Sequence, residues 1–160
     1  MSTICEAVDT SIREAFSTMI GQELDGGTLS DVQVALRNNC VSLTEDSDSI
    51  SVVVGLSGGL QGSVCLCVEQ PAALAWTTEL LGEECDCFNQ NVIDAIGELG
   101  NLVVGGAKGR MPEHGLTLGL PSVVFASSER LAFPAKSEPV AMRYQLNSAE
   151  IVVLIALVRS

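Results

Sequence analysis

Val92-Ile93-Asp94-Ala95-Ile96-Gly97-Glu98-Leu99-Gly100-Asn101-Leu102-Val103-Val104-Gly105-Gly106-Ala107-Lys108-Gly109-Arg110 reads as one long helix that breaks helix rules in an informative way. Each of its interior glycines costs about 1 kcal/mol relative to Ala. A helix so burdened has a reason, usually the close approach of another element's backbone. At about 100° of rotation per residue, Val92, Ile96, Leu99, Val103 and Ala107 fall on one stripe, which must face a sheet. Asp94, Glu98, Asn101, Gly105 and Lys108 fall on the opposite stripe, which is left to solvent. Glu98 and Asn101 are three apart, so their side chains stand side by side. Gly105, the next position on that stripe, leaves bare backbone beside the Asn101 amide. Such a face suits contact with another macromolecule. The plainer alternative is a solvated polar face whose glycines serve helix packing.

Upstream of this helix, Pro71 suits the first turn of a short helix that reaches Leu81 and stops at Gly82. Ile50–Leu56 and Leu60–Val68 read as strands joined by a tight turn at Ser57-Gly58-Gly59. Thr3-Ile4-Cys5-Glu6 has the form of a capping box. Val8, Ile12, Ala15, Phe16, Met19 and Ile20 then keep helical spacing, and Gly26-Gly27 are expected to stop that first helix. Asp31 to Leu43 is mixed, with alternation at Val32-Gln33-Val34, and an acidic turn follows at Glu45-Asp46-Ser47-Asp48. Downstream, Pro112 ends the long helix. Strands are expected near Ser122–Ala126, Pro139–Gln145 and Glu150–Val158, with a hairpin turn at Asn147-Ser148. The order predicts an α+β fold: an antiparallel or mixed β-sheet with the helices packed on one face.

The 160 residues, 16.7 kDa in all, fit one domain spanning 1–160. With 47% apolar residues but only 4% aromatic, the core must be built from Val, Leu, Ile and Ala. Eight basic against 20 acidic residues give a net charge of −12. Binding a polyphosphate backbone depends on clustered Lys and Arg, so nucleic acid is not expected as a partner, nor an anionic membrane surface. The longest apolar run, Ile151 to Val158, suits a buried strand and is far too short to span a bilayer. It has too little alternation for a strand with one wet face, so it must lie inside the sheet or at an interface. No export signal is read at the N-terminus, and a cytoplasmic location is expected. The six cysteines are then most simply reduced thiols. Cys65-x-Cys67 and Cys85-x-Cys87 have spacings shorter than zinc motifs usually use, so no metal site is expected. A cysteine-based redox or zinc protein is the reading this sets aside.

The stretch Asp94-Ala-Ile-Gly-Glu98-Leu-Gly-Asn101, running on to Ala107-Lys108, resembles the chemotaxis phosphatase family of CheX, CheC and FliY. That family carries an acidic residue and an Asn spaced E/D-x-x-N on a long helix, followed by small residues ending in Ala-Lys. Leu56-Ser-Gly-Gly-Leu-Gln-Gly62 resembles its first hairpin, Ala72 to Gly82 its short helix, and Gly119-Leu-Pro-Ser-Val-Val124 its Pro-containing strand. The resemblance covers roughly residues 45 to 158. It also implies a pseudo-twofold fold with two long helices. Shifting the chain by 84 residues does lay Ile12, Glu14 and Gly21 over Ile96, Glu98 and Gly105. Ser17 then stands where Asn101 does, which implies one working site and one decayed copy.

What the resemblance implies is hydrolysis of the phospho-aspartate on the receiver domain of a CheY-like response regulator. Asn101 and Glu98 would be catalytic, with Asp94, Gly105 and Lys108 contacting the partner. The chain would need no cofactor of its own; Mg²⁺ and the phosphate-binding lysine would belong to the receiver. A carboxamide has both a donor and an acceptor, so Asn101 could hold a water in line with phosphorus. An exposed carboxylate is a poor base at neutral pH, so Glu98 is assigned to docking on the receiver's lysine. His114, the single histidine, lies beyond the helix. CheX-like relatives also imply a homodimer. The alternative is a non-catalytic receiver-binding or motor-associated module on the same fold.

Overall fold

A computed structural model describes residues 2–30, 49–125 and 139–160. The elements run α1 (Ser2–Ile20), β1 (Asp25–Ser30), β2 (Ser49–Ser57), β3 (Leu60–Glu69), α2 (Gln70–Leu81) and α3 (Gln90–Gly109). A 3₁₀ turn (Pro112–His114) then leads into β4 (Thr117–Leu118), β5 (Ser122–Val124), β6 (Val140–Leu146) and β7 (Ala149–Arg159). The strands form a single antiparallel sheet in the order β1-β6-β7-β3-β2-β4, with β5 also paired to β2. The expected α+β architecture is the one observed: an antiparallel sheet with two long helices and a short one.

The strand order has an internal symmetry. With β4 set aside and β5 placed beside β2, exchanging β3 with β7, β2 with β6, and β1 with β5 maps the order onto itself, and the same exchange swaps α1 for α3. The pseudo-twofold relation that the family resemblance implies is therefore carried by six of the seven strands, β4 having no counterpart among the described residues.

Each half places an apolar stripe of its long helix over this sheet. Val8, Ile12 and Phe16 of α1 are buried, as are Val92, Ile96, Leu99, Val103 and Ala107 of α3. They pack with Ile50, Val52, Val54, Val64, Leu66, Ile151, Val153 and Ile155, so the core is aliphatic. Trp76 of α2 is its largest side chain. It packs against Phe16, with the tilted ring centroids 5.1 Å apart, and donates its indole N–H to Ala95 O of α3 at 2.8 Å. Strand β7 lies between β6 and β3, buried at every residue from Ile151 to Leu157. Ile151, Val153, Ile155 and Leu157 join the core beneath the helices, while Val152, Leu154 and Ala156, on the opposite face, are buried as well.

Local predictions hold in most places. The β6–β7 turn is Asn147-Ser148, both at positive φ (50° and 75°), as a two-residue primed hairpin requires. Gly82 closes α2 in the left-handed conformation, its N–H donating to Thr78 O at 2.9 Å.

Three readings are corrected. Helix α1 stops at Ile20 rather than at Gly26-Gly27: Gly21, at φ 65°, donates to Ser17 O and ends it. Gly26 and Gly27 belong instead to β1, an edge strand whose register slips between Gly26 and Thr28. Thr3 lies inside the first turn of α1, not at its cap, and Met19 is 43% exposed instead of joining the core. The sequence readings at 31–48 and at Ala126 fall outside the described residues.

Candidate functional site

Helix α3 begins at Asn89, whose side-chain oxygen accepts the Val92 N–H at 3.1 Å. Two of its glycines have the expected packing reason. A Cβ on Gly100 would stand 2.7 Å from a γ-methyl of Val52 in β2. One on Gly106 would stand 2.3 Å from Ser11 Oγ of α1. That hydroxyl donates to Val103 O at 2.6 Å, so α1 crosses α3 against bare backbone. Gly105 differs: a Cβ there would meet nothing within 4 Å. Its helix cost has no packing reason inside the described chain.

All of Asp94, Glu98, Asn101 and Lys108 are exposed, and Gly105 is partly so, which makes one continuous face. The side chains of Glu98, Asn101 and Lys108 make no hydrogen bond or ion pair with other described residues, whereas Asp94 accepts from Gln90 Nε2 at 2.9 Å. The face is polar in sequence order, with carboxylates toward the N-terminal end and a free ammonium toward the C-terminal end. Beyond Lys108 it runs into a groove of about 640 Å³, lined by Gly105, Lys108, Met111, Leu116 and Leu118 among others.

Glu14 and Ser17, which the 84-residue shift lays over Glu98 and Asn101, are also exposed. Their situation differs from that of Glu98 and Asn101. Glu14 pairs with Arg110, which also donates to Gly106 O, so this carboxylate ties α1 to the end of α3. Where α3 keeps its acid free, α1 uses the equivalent acid to hold the two helices together.

Other reactive groups lie elsewhere. His114 is half-buried in the 3₁₀ turn, and its carbonyl accepts from Gly59 N in the β2–β3 turn. Cys65 and Cys67 are buried with their sulfurs 3.8 Å apart. The hydrogen bond with Cys67 and then burial push the Cys65 thiol well up, which does not suit a thiolate nucleophile. Burial likewise pushes up Cys5. Among the described residues, no group of three or more His, Cys, Asp or Glu is placed to hold a metal ion, and no helix is long and apolar enough to cross a membrane.

The family model described as chemotaxis phosphatase CheX matches residues 50–145, more than half of the chain. The fold is similar to that of chemotaxis protein CheX from Vibrio vulnificus, at 21% identity, TM-score 0.80, and coverage of 97% of this chain and 96% of that one. The chemotaxis protein CheX from Desulfovibrio desulfuricans is similar at 23% identity and TM-score 0.77, with 98% and 99% covered. The CheX of a CheX–CheY–BeF₃–Mg²⁺ complex from Borrelia burgdorferi is similar at 20% identity and TM-score 0.72, with 98% and 96% covered. No curated protein matches the chain by sequence.

Proposed function

The chain belongs to the chemotaxis phosphatase CheX family, and from that premise we propose that it hydrolyses the phospho-aspartate of a CheY-like receiver domain. The observation that supports this most is the pair Glu98 and Asn101, exposed side by side with no partner among the described residues. A solvated helix face would need neither the free carboxamide nor the unpacked glycine four residues on.

The chemistry asks little of this chain. Water attacks phosphorus, the bond from phosphorus to the aspartyl oxygen breaks, and the carboxylate leaves. Mg²⁺ on the receiver offsets the charge on the phosphoryl oxygens. Asn101 would orient the water through its carbonyl oxygen and amide N–H, the role a glutamine plays in GTPases. No general base is needed from this chain, since the water's proton can pass to a phosphoryl oxygen. Glu98 would pair with the receiver's lysine and fix the register of docking; Asp94, Gly105 and Lys108 would extend the contact. Residues 1–160 would act as a single domain in the cytoplasm, where receivers work.

The test is to add the purified chain to a phosphorylated CheY-like receiver with Mg²⁺ and follow phosphate loss. Faster loss supports the reading, whereas binding without acceleration would make the chain a receiver-binding module. Charge reversal is the sharper probe of docking. Glu98→Lys sets a cation against the receiver's lysine and should weaken affinity by about tenfold or more, read by titration. Unchanged affinity would remove Glu98 from docking.

Assembly as a homodimer belongs to the same reading and is drawn from the family alone. Light scattering at micromolar concentration should give twice the 16.7 kDa chain mass. A single-chain mass would refute the dimer.

A further inference from the structure

Leu120 is 92% exposed, the most exposed large apolar side chain among the described residues. An isolated exposed leucine needs no explanation, but the position of this one is specific. Leu118 lines the groove beside Gly105 and Lys108, while Val123 lies 3.7 Å from where a Cβ on Gly97 would stand. The β4–β5 segment therefore runs alongside α3 in the opposite direction. Residues 119–122 flank the stretch from Gly97 to Gly105 that carries Glu98 and Asn101. The backbone there is held, not loose: Gly119 N donates to Gly55 O at 2.8 Å, and Ser122 and Val123 pair with Val53 and Val52. Leu120 sits at the one-residue slip between the two pairings, Leu118 with Leu56 and Val123 with Val52.

We infer that Leu120 is an apolar anchor for the receiver, seated beside the Glu98/Asn101 pair while Lys108 faces the receiver's acidic rim. The inference rests on the receiver-directed reading of α3. The local charge of this face, not the net charge of the chain, suits this occupant. A receiver holds Mg²⁺ with carboxylates, so the surround of its site is acidic, and a chain of net charge −12 would repel it. Lys108 is the unpaired cation on this face, at the opposite end of the stripe from Glu98. A partner with a lysine and an acidic rim meets both. Beside such polar contacts, an apolar side chain on a fixed backbone contributes affinity at little ordering cost.

The experiment measures the Kd of Leu120→Ala, Leu120→Asp and Leu120→Met for the beryllofluoride–Mg²⁺ form of the CheY-like receiver that the wild-type chain dephosphorylates fastest. If no receiver is dephosphorylated, the receiver that wild type binds most tightly is used. The expected result is about tenfold weaker binding for Ala, a larger loss for Asp, and near wild-type binding for Met. Turnover at saturating receiver and the thermal midpoint should stay unchanged, because Leu120 packs on nothing. If wild type accelerates dephosphorylation while the Ala and Asp variants bind like it, the anchor is overturned and the site reading stands. If wild type neither binds nor accelerates with any CheY-like receiver, both fall.

Discussion

Replacing Asn101 with Ala is expected to return phosphate loss to the receiver's own rate while docking persists. The side chain is exposed and bonded to nothing in the described chain, so removing it leaves the core and sheet intact. What goes is the fixed donor and acceptor that would hold water in line with phosphorus. Misplacing a reactant by about an ångström can cost on the order of 10²-fold, or ~2.7 kcal/mol of barrier. Affinity for the beryllofluoride form should remain near wild type, since Glu98 and Lys108 are untouched. A variant that keeps full activity would exclude Asn101 from the chemistry. One that loses activity only because it no longer binds would make Asn101 a docking residue.

The second large effect separates two glycines of one helix. Gly100→Val places branched carbons where a Cβ alone would stand 2.7 Å from Val52. Val52 is fully buried and its γ-methyls cannot swing away, so overpacking should cost about 1–3 kcal/mol. For a domain of this size each kcal/mol lowers Tm by roughly 2–4 °C. Gly105→Ala has open space and should gain about 0.5–1 kcal/mol from helix propensity. The free protein should thus be weakened by one substitution and strengthened by the other. If Gly105→Ala stabilises the chain yet impairs receiver binding, the bare backbone at 105 serves a partner. Equal stability for the two variants, measured by thermal unfolding, would contradict the packing assigned to α3.

The sequence made α3 and its polar stripe legible because helical spacing fixes which residues share a face, whatever the tertiary context. The buried run in β7 was legible for a similar reason: without alternation, neither face can be wet. Strand β1 was not legible. Asp25-Gly-Gly-Thr-Leu-Ser has no apolar alternation, and its pairing to β6 depends on tertiary contacts. Among these, Arg13 of α1 donates to Leu24 O and Gly26 O, while Tyr144 of β6 donates to Asp9 beside it. Two-residue β4 is too short to leave any periodic signal. Leu120 shows the limit of pattern most plainly: nothing in Gly119-Leu-Pro-Ser-Val-Val124 tells which side chain stands in solvent, and only the fold reveals it. The pairing of Glu14 with Arg110 was likewise invisible, because it joins residues 96 apart.

Hydrolysis of the receiver's phospho-aspartate is tested by a time course of phosphate release from a phosphorylated CheY-like receiver, with Mg²⁺ and a substoichiometric amount of the purified chain. Release faster than the receiver's own hydrolysis is expected, with many receivers turned over per chain and the acceleration abolished by Asn101→Ala. A lifetime equal to that of the receiver alone, across the CheY-like receivers of the same genome, would contradict it.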